Sequence, residues 1–168
     1  MIYLDHNATT PLANASLRAL TEALQANYAN PASQHAAGRR AMAALQEVRS
    51  RVRALVGAEH EQHPHDRIIF TSGGTEANNL AVRGLAGPKP GRVIISSLEH
   101  PCVAGAAAEL AREGFEIIQL AAGSDGVIDL DALREAIQSD TRLVSLMHAN
   151  HETGVLQPIA AASQICKS

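Results

Sequence analysis

Four short apolar runs, at residues 68–70, 92–97, 115–120 and 141–147, alternate along the chain with segments of helical periodicity. Runs of this length, bounded by Gly, Pro and polar residues, read as strands covered on both faces, and the segments between them are long enough for a crossover helix. Strand–helix alternation predicts an α/β fold: a mostly parallel sheet with flanking helices and right-handed connections. That geometry also localises function, because ligands of open α/β sheets bind beyond the carboxyl ends of the strands. Three strand-to-helix loops carry the densest polar content there: Ser72 to Thr75, Glu99 with His100, and His148 to Glu152. Lys89, in the connection Gly87-Pro88-Lys89-Pro90-Gly91, belongs to the opposite edge.

The first of these loops is the most informative. Residues 68–70 turn into a helix, expected over 76–83, through Thr71-Ser72-Gly73-Gly74-Thr75. Glycines at such a join let backbone approach a ligand, and the free N–H groups of the first helical turn favour an anion. The Ser72 and Thr75 hydroxyls add donors suited to phosphate. The pattern is not a P-loop, which would have lysine after the second glycine where this chain has Thr75. A capped helix start without a ligand satisfies the same residues, and that alternative stays open for the loop taken alone.

Flanking segments follow familiar signals. Pro11 suits a helix start, Leu17, Leu20 and Leu24 form an apolar stripe, and Pro31 closes the segment. Ala41, Ala44, Leu45, Val48, Val52, Leu55 and Val56 share one face of a second helix, with Gly57 at its end. Pro101 fits the first position of an alanine-rich helix. Further helices are expected over 129–138 and 159–167.

With 168 residues and 46% hydrophobic composition, one domain with a sizeable core is expected. The net charge of −3 and the lack of long like-charge runs argue against a nucleic-acid footprint or a polybasic membrane patch. Without a basic start or a long apolar stretch, the chain reads as cytoplasmic. Cys102 and Cys166 read as small core thiols. His60, His63 and His65 lie in a charged loop over 59–66, and no metal site is assigned to them.

Five segments, in this order, carry a resemblance: YLDHNATTP from Tyr3, NPASQHAAG from Asn30, FTSGGTEANN from Phe70, SSLEHPCV from Ser96 and MHANHETGVLQPI from Met147. Over essentially all 168 residues the chain resembles the cysteine desulfurases (NifS/IscS-like) of the class V aminotransferase group. The resemblance implies pyridoxal 5′-phosphate (PLP) as cofactor and the fold-type I architecture, with residues 1–168 forming an N-terminal arm and the N-terminal part of the PLP-binding large domain. It implies cofactor binding by Gly74, Thr75, His100 and Asn150. His100 is expected to stack on the pyridine ring and to assist proton transfer, and Asn150 to contact the substrate carboxylate as well. Alone, His100 could be only a helix cap and Asn150 only a turn residue. Asn7, Thr9 and His35 resemble segments near a substrate entrance, with no contacts fixed.

The implied activity is removal of sulfur from L-cysteine, giving L-alanine and an enzyme persulfide for Fe–S cluster or thiolation pathways. A homodimer and a sulfur-acceptor or Fe–S scaffold protein are the implied partners. Selenocysteine lyase, another class V aminotransferase, or a non-catalytic interaction protein are the alternatives. Family members are more than twice this length. The small C-terminal domain, the aspartate facing the pyridine nitrogen, the lysine that holds PLP covalently, the substrate-binding arginine and the persulfide-forming cysteine are expected to be absent here. The chain is therefore expected to be inactive by itself.

Overall fold

The computed structural model describes residues 2–58 and 67–167; the expected loop over 59–66, with His60, His63 and His65, lies outside the described residues. The chain forms two compact units, Met1–Phe70 and Thr71–Ser168. The reason lies in burial: both apolar clusters are built from residues of the second unit alone.

The first unit holds α1 (Asn14–Ala26) and α2 (Ala36–Leu55). The stripe of Leu17, Leu20 and Leu24 is present on α1 but stays exposed. That helix begins at Asn14, without a side-chain cap, and not at Pro11. His35 caps α2 by accepting a hydrogen bond at Nδ1 from the Gly38 N–H, 3.2 Å away. Gly38 is buried so tightly that a Cβ there would sit 2.2 Å from the Ser33 carbonyl oxygen. Residues 68–70 do not form the expected strand: Ile69 and Phe70 are 65% and 46% exposed. An apolar run becomes a strand only against a partner, and here the Ile68 carbonyl accepts from Arg49 Nε at 3.0 Å instead of from a ladder.

The second unit contains α3 (Gly74–Ala86), β1 (Arg92–Ser96), α4 (Pro101–Arg112), β2 (Glu116–Leu120), α5 (Leu130–Ala136), β3 (Thr141–Ser145) and α6 (Ile159–Ile165). Its three strands are parallel in the order β2-β1-β3, as the alternation predicted, with Ile95 opposite Gln119 on one side and Ser145 on the other. β1 is the central strand and its side chains divide between two layers. Val93 and Ile95 pack with Val82, Val103, Ala106 and Leu110 of α3 and α4, while Ile94 packs with Leu120, Leu133 of α5 and Ala162 of α6. At the amino edge, Arg92 binds Glu116 Oε2 at 2.8 Å and the Ala136 carbonyl at 2.9 Å. Gly91 permits the close approach of the chain before β3, since a Cβ would lie 2.6 Å from the Asp140 carbonyl oxygen. Consequently β1 and β3 end side by side, and the loops that follow them are held at one edge.

Candidate functional site

The start of α3 is open. Gly73 is its N-cap, in extended conformation, and offers no capping side chain; a Cβ on Gly73 or Gly74 would meet nothing within 4 Å. Glu76 reaches back instead: its Oε2 accepts from the Ser72 N–H at 2.7 Å and from the Ser72 hydroxyl at 2.6 Å. The hydroxyl bond first, and the backbone bond second, hold the Glu76 carboxyl below the ordinary glutamate range. The Ser72 hydroxyl expected on a phosphate is thus engaged with Glu76. The exposed Thr75 and the first backbone donors of the helix remain as the groups suited to an anion.

His100 is the N-cap of α4, with Pro101 at the first helical position as the sequence predicts. Its Nδ1 accepts from the Cys102 N–H at 3.2 Å and lies 2.9 Å from Cys102 Sγ. An Nδ1 that accepts is unprotonated, so the neutral ring carries its proton on Nε2, the nitrogen available for proton exchange. The exposed imidazole has the His151 ring beside it, with centroids 5.3 Å apart and planes tilted by 54°. Cys102, expected to be a core thiol, is only half-buried: it borders the α3–α4 core and touches His100, and its sulfur accepts from Asn78 Nδ2 at 3.0 Å. This contact ties the N-terminal half of α3 to the first turn of α4. Cys166 is exposed, against the same expectation, because it follows the last turn of α6.

Asn150 is 7% exposed and builds the loop after β3. Its Oδ1 accepts from the N–H groups of Glu152 and Thr153, each at 2.9 Å, its backbone N–H donates to the Val155 carbonyl, and its carbonyl accepts from Gly154. Among the described residues, Nδ2 meets the soft Met147 sulfur at 3.5 Å. The turn role and the binding role are therefore compatible: the oxygen orders the loop and the NH₂ remains a donor. Gln157 braces the same loop from within, its Nε2 donating to the Gly126 carbonyl at 2.7 Å and its Oε1 accepting from the Ile128 N–H at 3.0 Å.

Glu99 joins the loops after β1 and β3. Its Oε1 accepts from the Ser96 hydroxyl at 3.0 Å and from the Met147 N–H at 2.7 Å. Burial pushes its carboxyl above the ordinary range, and these two bonds only partly oppose the shift. Glu99, Cys102, Asn78 and His151 are residues to which sequence reasoning gave no role in the site. The signal for Cys102 lay in its position two residues beyond a capping histidine. Asn7, Thr9 and His35 belong to the first unit; His35 is the α2 cap, and the Thr9 carbonyl accepts from the Tyr3 hydroxyl at 3.1 Å.

His100, Asn150 and the start of α3 thus occupy connected loops at the carboxyl edge of the sheet, and comparison with known proteins gives this arrangement a family. The aminotransferase class-V family model matches residues 2–168. The chain belongs to the class-V aminotransferases. These, with the cysteine desulfurases among them, are PLP-dependent enzymes. This class-V aminotransferase chain is 43% identical over 175 residues to cysteine desulfurase IscS of Proteus mirabilis, covering 99% of this chain and 42% of the relative. It is 42% identical over 171 residues to the cysteine desulfurase of Rattus norvegicus, covering 99% of this chain and 37% of that protein. Among solved structures, a NifS-like protein superposes with a TM-score of 0.87 at 30% identity, covering 99% of this chain and 45% of the other. SspA solved in complex with cysteine gives 0.85 at 30% identity, over 98% and 47% of the two chains. The chain spans less than half the length of these relatives. No helix among the described residues of this class-V aminotransferase chain is long and apolar enough to cross a membrane.

Proposed function

We propose that this chain supplies the phosphate- and ring-binding part of a PLP-dependent cysteine desulfurase acting on L-cysteine. The observation that carries the proposal is the linkage of three loops at one sheet edge, presenting an open helix start, an exposed imidazole and a buried amide. In the proposed roles, the first N–H groups of α3 around Gly74 and the Thr75 hydroxyl hold the phosphate. His100 lies against the cofactor ring and exchanges a proton at Nε2, and Asn150 donates from Nδ2 to the cofactor or to the substrate carboxylate. PLP, when bound, supplies the electron sink for chemistry at the substrate α-carbon.

The donor set fits the cofactor without covalent attachment. The two lysines contribute nothing at this edge: Lys89 precedes β1, so a five-residue strand of roughly 17 Å separates it from the site, and Lys167 follows α6. This placement supports a binding role for the chain taken alone, with catalysis requiring an amine from elsewhere. Residues 1–168 are assigned to an arm and the N-terminal part of a large domain. A cytoplasmic homodimer that passes sulfur to an acceptor or Fe–S scaffold protein completes the proposal, supported by the cysteine desulfurase relatives.

Thr75→Ala tests the phosphate assignment. Loss of one hydrogen bond to a charged group is expected to weaken phosphate or PLP affinity by about 1 kcal/mol or more. Titration calorimetry reads this directly, and an unchanged dissociation constant removes Thr75 from the site.

A further inference from the structure

We propose that Glu99 is a positioning residue whose carboxylate clamps the loop carrying His100 to the loop carrying Asn150, so that both side chains address one bound PLP ring. The proposal rests on the function assigned above. Ser96 is the last residue of β1 and is buried, and three residues later the chain reaches Glu99, next to the α4 cap His100. Met147 lies two residues beyond the end of β3, where its N–H has passed out of the ladder. Glu99 Oε1 provides the acceptor: it takes the Met147 N–H at 2.7 Å while it also takes the Ser96 hydroxyl at 3.0 Å. Met147 in turn brings its sulfur to Asn150 Nδ2 at 3.5 Å. One oxygen atom thus lies between the two proposed cofactor-contacting side chains, adjacent in sequence to His100 and a single residue's contacts from Asn150.

The two loops also meet at the His100 and His151 rings, whose centroids are 5.3 Å apart, but that contact involves the side chains to be positioned, whereas Glu99 holds the Met147 backbone. β1 and β3 pair only as far as Ile95 and Ser145, and the loop after β3 is otherwise ordered by its own turn and by Gln157. A half-buried carboxyl that accepts two bonds is a costly group to place if its only purpose is to solvate a surface. Both bonds use it as an acceptor, and an amide oxygen can do the same. The geometry therefore predicts that glutamine substitutes for Glu99 and that a side chain without an acceptor does not.

The test compares the chain with its Glu99→Gln, Glu99→Ala and Glu99→Asp variants by amide hydrogen exchange at Met147, by the His100 ring and Asn150 NH₂ resonances, and by absorbance titration with PLP. In Glu99→Ala, loss of the two part-buried bonds is expected to accelerate Met147 exchange and to weaken PLP binding, each by about tenfold, with the His100 and Asn150 resonances shifting together. Glu99→Gln is expected to match the wild type in all three, which a demand for negative charge does not predict. If Glu99→Ala does not fold, Glu99→Asp, with a shorter arm, is expected to lose Met147 protection while global melting stays near the wild type. Wild-type Met147 exchange in Glu99→Ala or Glu99→Asp overturns the clamp, as does weakened PLP binding in Glu99→Gln with Met147 still protected. If the wild-type chain binds no PLP, the functional assignment fails, while Met147 exchange and the paired resonances still decide whether Glu99 joins the loops.

Discussion

Glu76 and Glu99 each accept two hydrogen bonds, yet their carboxyls shift in opposite directions. Glu76 is fully exposed, so the Ser72 bonds win; Glu99 is half-buried, so desolvation wins. The sign for stability follows from linkage. Glu76 contributes stability that is present above the ordinary glutamate value of 4.5 and is lost as pH falls through its lowered value. Glu99 contributes stability that is fully present below 4.5 and is lost as pH rises through its raised value. Melting temperature measured against pH is therefore expected to fall in the wild type relative to Glu99→Gln as pH rises from 4.5 toward neutrality; parallel curves would contradict a desolvated carboxyl. At this scale the sequence was partly readable. A histidine before proline at a helix start signals a cap, and His100 is one. The acceptor role of Glu99 was not readable, because its partner Met147 is 48 residues away and donates from its backbone, leaving no trace in side-chain identity.

Among the elements, β1 holds the second unit together because neighbouring residues enter opposite layers. Leu133 is fully buried in the layer that receives Ile94. Leu133→Ala is expected to destabilise the chain by about 2–5 kcal/mol, the range for large-to-small changes in a packed core, measurable by urea denaturation. A loss below about 1 kcal/mol would mean that α5 adapts to the cavity. Three strands were legible to within two residues because each apolar run has a neighbour to pair with. The run at 68–70 is apolar too but has no strand partner among the described residues, so periodicity alone misassigned it. The stripe on α1 teaches the same lesson for helices: spacing shows which face is apolar, not whether anything covers it.

On the scale of the whole molecule, exposed apolar side chains are a prominent feature, among them Leu17, Leu20 and Leu24 on α1 and Leu85 on α3. The outer edges of β2 and β3 have no strand partner among the described residues. Both features favour association. Sedimentation velocity at several concentrations is expected to show dimers or larger species, and a monomer throughout would show that these surfaces tolerate water. Composition predicted a core but not its distribution, since a count of apolar residues is blind to where along the chain they meet.

The order β2-β1-β3 also sets a timetable. β1 and β2 pair across one helical crossover, whereas β3 can join only after a longer stretch of chain has been gathered in. Long-range pairings bear more loop-closure entropy and tend to form after nearer ones. A nascent chain can therefore cap α4 with His100 well before Met147 and Asn150 exist to meet it. The proposed ring-binding surface comes together only when the third strand docks, and until then the carboxyl edge of β1 is an unfinished rim.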